Sequence, residues 1–542
     1  MSQQARLCRE IIEEEFGPFV AKVAHQILLK GRLTLPDIVR FTKLTPKQIR
    51  ESLVVLIQHG LAFFTEAVEG QKEQTHYQVS AEQTLMRLRM PAIMQVAEER
   101  WEEIGVDICR LLFIHGRMKI GGVRDWVKGD SKRKDKMDQY IKAFTKMANE
   151  HYIIAVLPEH SRSAVDRYLE AEQKESEKYT ITTAKEIQAI KKSALESVEA
   201  EYGMLENAGL KRKAIDAISS AHKRMAVEIE DMEVDEKIYF HINYERFNIL
   251  FRNNSVMDYA IERINRTAGQ IVKAFFEHGK NKIRSLHEND SPSATPMHIA
   301  NIIPQDVIDQ GDIVLQPDLI NPGKKPSVQD IITGYITLLK IDSAGFVRSR
   351  DELGSSQYSI NFLKLRENMK RKLLEGLVRE KMGVATCRIL RILIEKGKLD
   401  ESQVQKLAML PPKDTREKLA LLNLRGFVEI QANRLDVNEV PRTADRAPGR
   451  SFHLWYVPLE KIYEELLVDV YRTVANLQQR RRQELKVRSR LLEKLNRQDV
   501  KENIDLLGEG DKAEITQMDK VLERIEISKK RLDQMIMILR DF

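Results

Sequence analysis

The residues in this chain that could do chemistry are basic, and they sit at helix starts and in loops rather than in catalytic spacings. One set is Lys47 and Arg50, with Lys43 beside them, around the Thr45-Pro46 pair. A second is Lys128, Lys132, Arg133, Lys134 and Lys136, all in the run KGDSKRKDK. A third is Arg442, Arg446 and Arg450, in RTADRAPGR. Such groups neutralise phosphates or acidic protein surfaces and make no bonds of their own. The chain has no glycine loop followed by Lys-Ser/Thr, no HExxH and no paired-cysteine spacing. Cys8, Cys109 and Cys387 are scattered beside apolar helical residues, the setting of buried thiols in a reducing compartment. His25, His59, His76 and His115 fall near helix ends or strands, where structural or surface roles are expected. The sequence therefore predicts no catalytic residue, no metal and no cofactor.

At 542 residues the chain is long enough for several domains, and 42% hydrophobic with 31% charged residues is a globular composition. A net charge of +7 permits a polyanionic partner without demanding one. No run of about eighteen apolar residues occurs, so no membrane span is expected. The opening MSQQARLCREIIEEEFG lacks the apolar centre of a signal peptide.

The elements that must hold the basic groups are clearest between Arg388 and Val457. Ile389, Leu390, Ile392, Leu393 and Ile394 form a helix face, stopped at Gly397. Asp400 or Ser402 can cap a second helix carrying Val404, Leu407 and Ala408, which Pro411-Pro412 is expected to end. Thr415 precedes a third helix through Leu419, Leu422 and Leu424, stopped at Gly426. Phe427 to Ile430 and Ser451 to Val457 read as two strands of a hairpin, with RTADRAPGR as the loop between them. Three helices followed by a hairpin is the winged helix-turn-helix plan, in which the third helix and the wing can meet nucleic acid.

The plan recurs. ILLKGRLTLPDIVRFTKLTPKQIRESLVVLIQHGLAFF, near the start, aligns element by element with the later tract, glycines included. A second unit follows from Val106, and a less regular one covers 236–366. The expected boundaries are winged helices at 1–90, 98–182, 236–366 and 370–458, with a charged helical linker or insertion at 183–235. From Glu460 onward, Ile462, Leu466, Val470, Val474 and Leu477, then Ile515, Met518, Leu522, Ile525, Leu532, Met535 and Leu539, keep 3-4 spacing on either side of Gly508 and Gly510. That predicts a coiled coil over 459–542, folded as an antiparallel hairpin. The fold class expected is mainly α with small β wings: four tandem winged helices and a C-terminal hairpin.

Four segments carry a family resemblance: RILRIL, QVQKLAMLPPKDTREKL, PRTADRAPGRSFHLWYV and CREIIEEEFGPFVAKVAHQILLKGRLTLPDIVRFTKL. With the order of the units, they make the chain resemble the third-largest subunit of eukaryotic RNA polymerase III. That subunit is also similar to the alpha subunit of general transcription factor IIE, whose cysteine-ligated zinc ribbon this chain lacks. The resemblance implies a non-catalytic nuclear subunit acting in promoter opening and initiation on transfer RNA, 5S RNA and similar short genes. It implies a heterotrimer with a smaller winged-helix subunit and an acidic-tailed subunit. It also implies contacts with the clamp of the largest subunit, with transcription factor IIIB and, weakly and without sequence preference, with promoter DNA. In that family the loop matching Arg442, Arg446 and Arg450 reaches toward the cleft and clamp. A stand-alone winged-helix DNA-binding regulator is the competing expectation.

Overall fold

The computed structural model describes residues 2–69, 72–129, 133–157, 161–178, 183–206, 208–212, 232–280, 282–283, 285–304, 327–350, 356–432, 453–502 and 507–542. Two compact bodies divide the chain: Met1–Asn248 with Tyr471–Asp533, and Ile249–Val470 with Gln534–Phe542. Each is mainly helical with small antiparallel sheets.

The first body opens with α1 (Gln3–Phe16) and α2 (Pro18–Lys30), then β1 (Leu33–Thr34), α3 (Leu35–Thr42), α4 (Pro46–Gln58), β2 (Ala62–Glu69) and β3 (Lys72–Val79). Gly31, at φ 89°, ends α2, and its amide donates to the Ile27 carbonyl. That left-handed turn suits a residue without a side chain. Thr45 begins α4 with a capping box: its hydroxyl accepts from the Gln48 amide, and the Gln48 side chain accepts from the Thr45 amide. Val23, Ile27, Ile38, Ile49, Leu53 and Leu56 then close one core. The wing is longer than its sequence signal at Leu61–Thr65 and His76–Val79, and β1 pairs with β3 through Leu33 opposite Tyr77.

After α5 (Ala81–Met86), the second winged helix is built from α6 (Met90–His115, broken at Glu102), α7 (Ile120–Gly129), α8 (Met137–Asn149) and β4 (Ile153–Val156). Its return strand corrects the expected boundaries. β4 pairs with β7 (Tyr239–Ile242), Ile153 opposite Ile242, so this unit closes at 242 and not at 182. The intervening segment is an insertion inside the wing. It contains α9 (Ala164–Ser176), α10 (Ala184–Glu206), β5 (Leu210–Arg212) and β6 (Met232–Val234). Asp166 ties this insertion to the first wing, with Arg32 at 2.7 Å and hydrogen bonds from Thr65 and Ser163, both 2.7 Å. Burial alone would raise the Asp166 carboxyl. The hydrogen bonds and the guanidinium outweigh burial and hold it below the usual aspartate range.

α11 (Tyr244–Arg263) leads into the second body. There the plan repeats with α12 (Arg266–His278), α13 (Pro296–Ala300), α14 (Val328–Ile341), β8 (Val347–Ser349) and β9 (Tyr358–Ile360). α15 (Phe362–Met382) precedes the fourth copy: α16 (Val384–Lys396), α17 (Glu401–Ala408), α18 (Pro412–Leu424), β10 (Glu429–Ala432) and β11 (His453–Tyr456). Asp400, not Ser402, caps α17. Pro411 and Pro412 do not end α17; left-handed Met409 does, and the prolines start α18. A proline in the first turn forfeits an N–H that has no intrahelical acceptor, so it initiates a helix at little cost. In every copy a residue after the first helix bridges to the returning strand: Leu33 to Tyr77, Met118 to Phe240, Ala294 to Tyr358 and Leu399 to Trp455.

The C-terminal region comprises α19 (Leu459–Val487), α20 (Ser489–Asn496), α21 (Gln498–Glu502) and α22 (Glu509–Ile536). Within the first body, ion pairs join Arg481 to Glu526 (3.1 Å), Arg488 to Glu514 (3.8 Å) and Lys494 to Asp511 (2.9 Å). One partner number rises as the other falls, which is antiparallel pairing about the turn. The leading arm is a series of three helices instead of one continuous helix. Lys529, the polar interruption in the apolar stripe, lies 3.3 Å from Glu526, and burial lowers its ammonium pKa.

The first two winged helices meet at His59. Its ring packs against Phe16 at a tilt of 52°, centroids 4.5 Å apart, and the neighbouring Gln58 side chain donates to the His115 and Arg117 carbonyls. Burial, reinforced by Arg87, pushes the imidazole down to about 4, so it is neutral in the folded chain. A depressed histidine contributes stability that is complete above its unfolded value near 6.5 and is lost as pH falls toward 4. We expect His59→Phe, which keeps a ring packed against Phe16, to flatten the loss of stability between pH 6.5 and 4. Urea unfolding at several pH values checks this, and parallel curves for both proteins would contradict it.

Candidate nucleic-acid interface

In the first winged helix, Lys47 and Arg50 are exposed on the outer face of α4, opposite the buried Ile49 and Leu53. Lys47 lies 4.0 Å from Glu51, and both side chains are largely in water, where such a pair is worth little. Val54, on the same face, is 65% exposed. This third helix presents a mixed face with few fixed positive charges.

The second winged helix is more basic. Lys134 and Lys136 form the exposed turn that leads into α8, and Lys128 ends α7 near Asp125 at 4.0 Å. Arg133 is not part of that free set. Its guanidinium lies 4.0 Å over the Trp126 ring and 3.7 Å from Asp107, which also accepts a 2.8 Å hydrogen bond from Tyr140. Burial and that hydrogen bond push the Tyr140 phenol up to about 12, so it stays a donor. Arg133 therefore anchors the loop, while the lysines beside it face solvent. Two residues missed from the sequence complete the face: Lys142 and Lys146, one turn apart on α8 and exposed. The signal was present, since Tyr140, Phe144 and Met147 fix the inner face and place both lysines opposite. Lys132 lies outside the described residues.

The fourth winged helix offers little for phosphate on α18. Exposed Lys413 stands beside Asp414 and Glu417, and Arg416 pairs with Glu401 at 2.5 Å. Met409 and Leu424, 86% and 82% exposed, add apolar surface. Arg442, Arg446 and Arg450 lie outside the described residues.

The basic stretch Arg480–Arg490 is largely engaged within the first body. Arg482 lies 3.0 Å from both Glu10 and Glu13, and Arg481 contacts Glu14. Among the described residues no group of three or more His, Cys, Asp or Glu side chains could hold a metal, and no helix is long and apolar enough to cross a membrane. Cys8, Cys109 and Cys387 are buried, and burial pushes the Cys109 thiol up to about 12.

Three family models match in sequence order. Residues 6–67 match the RNA polymerase III subunit RPC82 helix-turn-helix domain, 142–369 match RNA polymerase III subunit RPC82, and 374–457 match the POLR3C C-terminal winged-helix domain. The chain belongs to the RPC82 family of RNA polymerase III subunits. A DNA-directed RNA polymerase III subunit RPC3 from Danio rerio is 26% identical, covering 98% of this chain and 93% of its own length. The Rattus norvegicus and Emericella nidulans proteins of that name are each 24% identical, over 99% of this chain and 98% and 99% of their own lengths. The first family match takes in α1 to α4, and the last ends one residue past β11, so the family spans the first and fourth winged helices.

If the α8 face meets phosphate, reversing Lys142 and Lys146 to Glu should weaken DNA binding about equally for unrelated sequences. Each lost phosphate contact should also make the slope of log affinity against log salt shallower by roughly 0.9. Arg133→Met should instead lower thermal stability and leave that slope unchanged. Fluorescence anisotropy across a salt series separates the two, and an unchanged slope in the double reversal rules the face out.

Proposed function

We propose that this chain is a non-catalytic subunit of RNA polymerase III that acts in promoter opening and initiation as part of a clamp-associated heterotrimer. The observation that carries the reading is the ordered series of RPC82-family matches along a chain built from four winged helices. The third helices support it: α4 has a mixed face, α18 carries acidic and apolar groups beside its lysines, and α8 presents exposed Lys142 and Lys146. Docking blocks need such faces, whereas a sequence-specific reader needs a set of arginine, asparagine or glutamine side chains aimed at base edges. On this reading the partners are the smaller winged-helix and acidic-tailed subunits, the clamp of the largest subunit, transcription factor IIIB and promoter DNA bound without sequence preference. The site of action is the nucleus, on transfer RNA, 5S RNA and other short genes. The chain itself contributes no active site.

Two experiments test this. Affinity purification of the tagged full chain should recover RNA polymerase III subunits, and their absence from the co-purifying chains would sink the assignment. Within the assembled polymerase, reversing Arg442, Arg446 and Arg450 together to Glu should lower initiation from duplex promoters while sparing pre-melted templates and trimer assembly. Equal output from both templates would remove the wing from promoter opening.

A further inference from the structure

The second body holds a concentration of positive charge for which the winged-helix plan has no use. Arg252, on α11, is completely buried. Its guanidinium lies 3.8 Å over the Phe362 ring and donates to the Leu286 carbonyl at 2.9 Å and to the Asn253 side chain at 3.1 and 3.2 Å. Phe362 opens α15, and Arg366 and Lys370 follow at intervals of four, so all three lie on one helix face. The Nε and Nη2 atoms of Arg366 are shut off from water and meet no acceptor among the described residues. Those two N–H groups form the side-on fork of a guanidinium, the geometry that takes both oxygens of a carboxylate or phosphate. Lys370 makes no ion pair among the described residues. Burial and the Arg366 charge lower the Lys370 ammonium pKa, and burial brings Arg252 down to about 10. Among the described residues, Glu288 is the carboxylate whose charge offsets Arg252.

A buried guanidinium fork without an acceptor is costly, and a bound anion is one way such a group is satisfied. We propose that Arg366 and Lys370, on the Arg252 side of α15, form an oxyanion site that takes a phosphate or carboxylate group side-on at the Arg366 fork. Arg252, already committed to Leu286 and Asn253, holds Phe362 and sets the local positive potential without touching the ligand.

Thermal unfolding of the full chain tests this, with chloride replaced at constant ionic strength by inorganic phosphate or by acetate. The wild-type chain should gain at least about 2 °C in Tm in one of the two ions. A response to phosphate identifies a phosphate ligand, and a response to acetate alone identifies a carboxylate. Arg366→Met keeps the apolar stem and removes the unpaired charge. It should lose the anion response and, in chloride, melt no lower than wild type. Lys370→Met retains the fork and should raise the half-saturating anion concentration without abolishing the response. The proposal is overturned if neither ion shifts the wild-type chain, if Arg366→Met responds as wild type does, or if Arg366→Met is clearly less stable in chloride.

Discussion

The first body depends on a set of charges brought together from opposite ends of the sequence. Glu10 is buried on α1, and a buried carboxylate is tolerated only when a cation is held against it. Arg482 supplies that cation at 3.0 Å and also reaches Glu13. Arg6 donates in return to Asn476 and Gln479 on α19, at 2.8 and 3.0 Å. Removing Arg482 would leave Glu10 as an uncompensated buried charge, whereas Arg482, partly exposed and also paired with Glu13, would tolerate the loss of Glu10. The acidic run of α1 and the basic run of α19 are therefore two halves of one interaction, and α19 is fixed on a helix whose outer surface would otherwise repel anions.

That constraint narrows where nucleic acid can act. A run as basic as QQRRRQELKVRSR invites a phosphate reading, yet its central arginines are occupied by Glu10, Glu13, Glu14 and Glu526. Arg133 is likewise held, by Trp126 and Asp107. The positive charge that remains free in the second winged helix is lysine on the outside of α8 and its lead-in. Lysine is a point charge without the planar fork that reads guanine, so such a face suits backbone contact and not base recognition.

Much of this was legible in the sequence wherever the signal is local. The 3.6 period located the helices, Thr45 and Asp400 marked helix starts, and Gly31, Gly60, Gly397 and Gly426 marked stops. What stayed hidden depends on partners distant along the chain. Tyr239–Ile242 reads as the start of a new unit because its partner strand, Ile153–Val156, lies on the far side of the insertion. Nothing near Arg133 in sequence announces that Trp126 and Asp107 will claim it. Pro411-Pro412 was ambiguous, since a proline can stop one helix or start the next and only the tertiary path decides. The wing arginines Arg442, Arg446 and Arg450 have a chemical reading from sequence alone.

The route of the second wing has a consequence for how the chain tolerates being cut. β4 and β7 form one ladder although a helical hairpin and a further pair of strands lie between them in sequence. The segment between the two strands is joined to them covalently, but the ladder's hydrogen bonds do not run through it. A single peptide break there would convert the chain into two fragments that still share a sheet, each carrying residues of one core: Phe144 on α8 in one, and Phe240, at 5.5 Å ring to ring, in the other. Rejoining them would require bimolecular association in place of loop closure, so their complementation would depend on concentration while intact folding would not. The insertion thus serves as a tether that keeps the wing's two strands at high effective concentration.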